Sequence, residues 1–341
     1  MILQTETVDQ AIEGSQRGRF IKDMIAAREA RHPIAMVRKR REGLERTRGA
    51  VLLVHGFGQN RYTWHSSKRS LVNYLAMEGW DVFNVDLRGR GRSKQYGARD
   101  DTILDDYIRE DVPACIRSVL RLSGHDRVFL LGHSMGGLIS YSVAGSVARD
   151  EVAGVITIGS PYRFGRGSWF LTLAAPMFYA ARLTGLFDMN PPLPIRFIGE
   201  QLRTHRWLWD NRIIPLPLRP WAPGTMEPEI LDENLGAAFE HTRMAIALGI
   251  VRIGRESSLV SHDGLLDYGT AFELTDKPLL VIAGQFDSLA PPESVYPVIE
   301  RSRSRDKTYR EFPLGHIDMV LGRDAPTSVW PLLKTWLNAR A

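Results

Sequence analysis

The chain has 341 residues, 44% hydrophobic and 24% charged, a formal charge of +5 and a single cysteine, Cys115. That length permits one large core, or a core carrying an insertion. The composition excludes a disordered chain, and one cysteine excludes an internal disulfide framework. Residues 1–20 hold no apolar run of the kind a secretory signal needs, so a cytoplasmic location is expected. No nucleic-acid module, zinc spacing or internal repeat is visible.

Residues 1–48 form a basic N-terminal extension. Residues 18–31 have helical character closed by Pro33, and 34–48 could add an edge strand or a hairpin. The run Arg38-Lys39-Arg40-Arg41 suits either a solvated strand or loop face, or transient contact with phosphates or an anionic membrane surface. Ala50-Val51-Leu52-Leu53-Val54 is a continuous apolar run of buried-strand type, ending in His55-Gly56-Phe57-Gly58. An amphipathic helix is predicted over 64–77 and a strand over 80–85. A helix over 104–122 is bent or split by Pro113. Strands over 127–131 and 154–159 bracket a helix beginning at Gly137. Strands alternating with helices imply a parallel sheet with right-handed crossovers.

The alternation stops at Pro161. Residues 161–272 carry four tryptophans and a proline cluster, and read as a mostly helical cap inserted into the sheet domain. Trp169 and Phe178 are the candidate substrate contacts there, since large apolar side chains over a sheet edge can line an acyl pocket. The same side chains would equally serve to pack the cap onto the core. Strands resume over 278–284 and 308–312, with helices over 291–301 and 325–339. The core is thus assigned to 49–160 and 273–341.

Gly132-His133-Ser134-Met135-Gly136 stands between a predicted strand and a predicted helix. A G-x-S-x-G in that setting is a nucleophile elbow, a sharp turn that exposes the Ser134 hydroxyl at the sheet edge. A serine nucleophile needs a base, and the base needs an orienting carboxylate. Asp287 follows the strand ending at Gly284, and His316 follows the last strand, so both fall on the edge that carries Ser134. Two aimed donors for an oxyanion are expected from the backbone N–H groups of Phe57 and Met135. His55 and His133 are expected to be structural, and Cys115 to be core. This chemistry needs no metal and no organic cofactor.

The order Ser134, Asp287, His316, the Leu53–Gly58 segment, Asp86 to Ser93 and Gly132 to Gly137 resemble the α/β-hydrolase superfamily, in particular its lipase, esterase and lysophospholipase members. Residues 73–86 and the ending Gly315-His316-Ile317-Asp318-Met319-Val320-Leu321-Gly322 are also similar to polyhydroxyalkanoate synthases and acid lipases. The synthases use a cysteine nucleophile where this chain has Ser134. The resemblance implies an α/β fold with a mostly parallel central sheet flanked by helices. It also implies a serine esterase acting on a small-molecule ester or a lipid-like substrate through an acyl-enzyme. Acyl transfer or thioester cleavage on the same fold is the alternative within the class. A non-catalytic binding protein is the alternative outside it.

Overall fold

A computed structural model describes residues 1–98, 102–180, 183, 185, 189–256 and 259–341, and within these leaves out the side chains of 175, 178, 179 and 253–256. The strands are β1 (Ile2–Glu13), β2 (Gln16–Ala27), β3 (Ile34–Arg41), β4 (Ala50–Val54), β5 (Asp81–Asp86), β6 (Val128–His133), β7 (Val152–Ile158), β8 (Pro192–Leu193), β9 (Thr242–Arg243), β10 (Leu279–Gly284) and β11 (Lys307–Phe312). Nine of them form one sheet in the order β1-β2-β3-β5-β4-β6-β7-β10-β11, and β8 and β9 make a separate ribbon. From β5 to β11 every pairing in the large sheet is parallel. The first three strands join it antiparallel.

The apolar runs are continuous because helices cover both faces of the sheet. Leu52, Leu130 and Val281 face one layer with Ile116, Val119, Leu138 and Ile139. Val51, Leu53, Leu131 and Leu280 face the other, with Leu75, Trp330, Leu333 and Trp336. Cys115 is buried in the first of these layers.

The N-terminal segment departs from expectation. The helix predicted over 18–31 is strand β2, paired on one side with β1 and on the other with β3. Residues 2–41 therefore supply three strands of the central sheet. β3 lies inside it, between β2 and β5, and β1 is the edge. The apolar positions of β2 repeat at a spacing that a helix can also use, and strand partners decide between the two. The first half of the basic run is not a solvated face, although Arg40 is half-buried and Arg41 exposed. Arg38 donates to both oxygens of Asp81 at 2.8 and 2.6 Å, and Lys39 donates to Asn73 at 2.7 Å. Both are buried, so neither is presented to a membrane surface.

Two predicted helices break where backbone chemistry requires it. The segment over 64–77 becomes a 3₁₀ turn, Arg61–Trp64, and a helix, Leu71–Met77, whose N-cap Ser70 accepts from the Asn73 N–H at 3.1 Å. The segment over 104–122 contains a π turn, Tyr107–Asp111, before the helix Val112–Ser123, with Pro113 in its first turn, where its missing N–H is tolerated.

The insertion between β7 and β10 is mostly helical: Trp169–Ala180, Ile195–Thr204, Arg206–Asp210, Pro228–Ala237 and Met244–Glu256, with the β8–β9 ribbon. It is tied to the sheet edge after β4. The Asn60 amide donates to the Ala237 carbonyl at 2.9 Å, and the Glu240 N–H to the Gly58 carbonyl at 2.8 Å. Helix Tyr268–Glu273, which falls at the end of the predicted cap, packs on core helix Met135–Gly145, with the Tyr141 and Phe272 rings 4.8 Å apart. Among the described residues no helix is long and apolar enough to cross a membrane.

Candidate active site

Ser134 sits between β6 and helix Met135–Gly145 with φ 54° and ψ −121°. Side chains rarely adopt that backbone, and holding one there costs about 1–3 kcal/mol. The turn is locked by its surroundings. The Ser134 N–H donates to the Ile158 carbonyl at 3.0 Å, and a Cβ at Gly136 would overlap the Val54 carbonyl. The glycine therefore lets helix Met135–Gly145 start directly against β4.

The structure brings Asp287 and His316 together. His316 Nδ1 donates to Asp287 Oδ2 at 2.7 Å, and both residues are buried. Asp287 Oδ1 accepts from the N–H groups of Leu289 and Ala290 at 2.9 and 2.8 Å. Two backbone donors thus fix the carboxylate, and the carboxylate fixes the imidazole tautomer with its proton on Nδ1. Nε2 is left as the basic nitrogen. Strand β7 is followed by Gly159, with φ 55°, where a Cβ would lie 3.1 Å from Asp287 Oδ2 and 3.2 Å from His316 Nδ1. A side chain at this position would press on the pair. The other acids near the end of the cap are engaged elsewhere: Asp263 pairs with Arg109 at 3.0 Å, and Asp267 caps helix Tyr268–Glu273.

The neighbouring histidines brace this arrangement. The His55 Nδ1–H donates to the Gly56 carbonyl at 2.9 Å, and Nε2 accepts from the Leu87 N–H at 3.2 Å. That pattern suits only a neutral ring, and burial pulls its pKa down to about 4. His133 donates through Nε2 to the His316 carbonyl at 3.1 Å. Burial, reinforced by His316, holds it well below the usual histidine range. Asp318 accepts from Thr225 Oγ1 at 2.6 Å and from the Gly315 N–H at 2.8 Å, linking the cap to the loop that carries His316. Its burial pushes the carboxyl pKa up.

Ser134, Met135, Phe57 and His316 border a cavity of about 440 Å³. The cap supplies its upper wall, with Leu171, Ile195, Leu202, Phe239, Ile250 and Val251. Trp169 is not brought here. It is 69% exposed and faces a separate cleft beside Phe286 and Tyr296. The side chain of Phe178 lies outside the described residues. The sequence did hold a signal for the true wall: Ile195, Ile198 and Leu202 recur at three- and four-residue steps along one face of a helix, as do Ala247, Ile250 and Val251. Gly159 carries no such signal, because its requirement comes from strands and loops that are distant in sequence.

The chain matches the α/β hydrolase fold model over residues 49–322, and it belongs to that family. Among curated relatives it is similar to a poly(3-hydroxyalkanoate) polymerase subunit PhaC of Haloarcula marismortui, 24% identical over 85% of this chain and 61% of the relative. The chain thus spans 61% and 55% of the length of two archaeal polymerase subunits it matches, and 81% of one from Thiocystis violacea. Two solved structures share the fold. One is a monoacylglycerol lipase from Paleococcus ferrophilus, with TM-score 0.61 and 20% identity, covering 90% of this chain and 99% of that one. The other is a highly thermostable carboxyl esterase from Bacillus coagulans, with TM-score 0.66 and 17% identity, covering 94% and 98%.

Proposed function

We propose that the protein is a serine hydrolase of carboxylic esters with apolar acyl groups. The observation that carries this reading is the Asp287–His316 pair at 2.7 Å, with His316 and the strained Ser134 together lining one largely apolar cavity. The Ser134 hydroxyl attacks the ester carbonyl as its proton passes to His316 Nε2. Asp287 holds the ring and stabilises its charged form. The N–H groups of Phe57 and Met135 stabilise the oxyanion. The protonated His316 releases the alcohol, and water activated by the same imidazole frees the acid. The lipase and esterase structures that share this fold support a lipid-like ester as substrate.

The cavity sets an expectation for chain length. Each buried methylene is worth about 0.8 kcal/mol, so four extra methylenes contribute at most about 3 kcal/mol. The test is a series of p-nitrophenyl esters from acetyl to palmitoyl, run beside fluorophosphonate labelling. Expected results are a kcat/KM that climbs from acetyl to at least hexanoyl, and labelling of wild type that Ser134→Ala abolishes. A preference for acetyl would overturn the acyl-pocket assignment, and unchanged labelling of Ser134→Ala would overturn the nucleophile. The match to polymerase subunits supports a second reading, acyl transfer to an alcohol or a hydroxyacyl thioester. Release of CoA from a hydroxyacyl-CoA without free acid would favour it.

A further inference from the structure

A second cavity, of about 130 Å³, lies away from Ser134, between the N-terminal strands and the Arg61–Trp64 turn. Lys22, Lys39, Arg61 and Arg92 line it, with His65 and Asn84. Its charges do not balance. Lys22 pairs with Glu6 at 2.7 Å and Arg61 with Asp86 at 2.5 Å. Among the described residues Lys39, buried, meets only the neutral amide oxygens of Gln10 and Asn73. The Arg92 side chain forms no ion pair among the described residues, although its charge reaches Glu6. Four basic side chains therefore have two carboxylate partners. Two buried polar atoms are also orphaned, His65 Nδ1 and Asn84 Oδ1. The Asn84 amide nitrogen donates to the Arg61 carbonyl at 2.9 Å, which fixes Oδ1 as an acceptor in need of a donor.

We infer that this cavity is a binding site for inorganic phosphate in its hydrogen phosphate form. The charge of Arg92, and that of Lys39 once an anion beside it restores its proton, match a dianion. An imidazole N–H at His65 Nδ1 would donate to a phosphate oxygen. The P–OH of hydrogen phosphate would donate to Asn84 Oδ1, which sulfate cannot do at neutral pH. The volume suits a few waters or one small anion. Burial, with Lys22 and Arg61 nearby, pulls the Lys39 ammonium down to about 7, and a bound anion offsets that penalty. Asp86 extends the site's reach: it accepts from the Arg61 and Arg92 N–H groups at 2.9 Å each, and so joins both cationic segments to the end of β5.

The test is isothermal titration calorimetry of the full chain at pH 7.5 and constant ionic strength, with inorganic phosphate, sulfate, chloride and glycerol 3-phosphate as titrants. Saturable binding of phosphate is expected, clearly tighter than sulfate or glycerol 3-phosphate, with none for chloride. Arg92→Ala, on a partly exposed position, should weaken phosphate at least about tenfold while leaving esterase activity and unliganded thermal stability unchanged. Lys39→Met should abolish binding, with circular dichroism reporting its fold. Absence of saturable phosphate binding would overturn the site, as would equal affinity for sulfate or undiminished binding in Arg92→Ala. Equal affinity for glycerol 3-phosphate would overturn the assignment to free phosphate.

Discussion

Replacing Ser134 by glycine should make the protein more stable than replacing it by alanine. The backbone at this position has φ 54° and ψ −121°, a conformation that costs any residue with a Cβ about 1–3 kcal/mol. Alanine keeps the Cβ and therefore the strain. Glycine removes the strain but loses about 0.5–1 kcal/mol through the greater freedom of its unfolded chain. Ser134 is only partly buried, so little packing is lost with its side chain. The difference between the variants should be about 1 kcal/mol in favour of glycine. For 341 residues an unfolding entropy of about 2.1 cal/mol/K per residue turns that into a Tm difference of roughly 1–2 °C. Differential scanning calorimetry or urea titration of the two variants measures it, and both should lack esterase activity. A Ser134→Gly protein no more stable than Ser134→Ala would refute the claim that the fold stores strain at Ser134.

Asp287→Asn should lower kcat by about 10⁴ with KM little changed. The two backbone donors to Oδ1 hold a carbonyl oxygen there, so the amide NH₂ turns toward His316 Nδ1 and imposes the wrong tautomer; a mild effect on kcat would contradict this. Ile250→Trp should fill the cap side of the cavity, cutting kcat/KM for octanoyl esters at least tenfold more than for acetyl esters; equal losses would place Ile250 outside the acyl path. Gly136→Ala should destabilise by several kcal/mol, since its Cβ would overlap the Val54 carbonyl; near-wild-type urea unfolding would count against the close approach of helix and strand. His55, with a folded pKa of about 4 against about 6.5 unfolded, must stay neutral in the native state. It contributes stability that is fully present above pH 6.5 and lost as pH falls toward 4. His55→Asn should be less stable at pH 7 yet show a shallower stability loss between those values, and an unchanged slope would reject the assignment.

The parallel half of the sheet and the candidate residues on its edge are legible in the order of residues along the chain. Strands β4, β6, β7 and β10 are short apolar runs of the kind a doubly covered sheet buries, and Ser134 and Asp287 follow two of them, whereas His316 follows β11, a polar strand at the sheet edge. Their meeting at the carboxyl edge follows from chain order and the handedness of crossovers. The tertiary structure decided what depends on residues far apart in the chain. Gly18 to Ala27 is compatible with helix until β1 and β3 pair with it, since the backbone hydrogen bonds of a strand come from its neighbours and not from its own turn. Arg38 and Lys39 read as surface charges until Asp81 and Asn73 arrive beside them. The cap side of the cavity was misplaced for the same reason: Trp169 is the larger candidate, but the direction a cap helix faces is set by the packing of 195–204 and 244–256 over Ser134. Local chemistry fixed where the reacting groups leave the chain, and long-range packing fixed which side chains surround them.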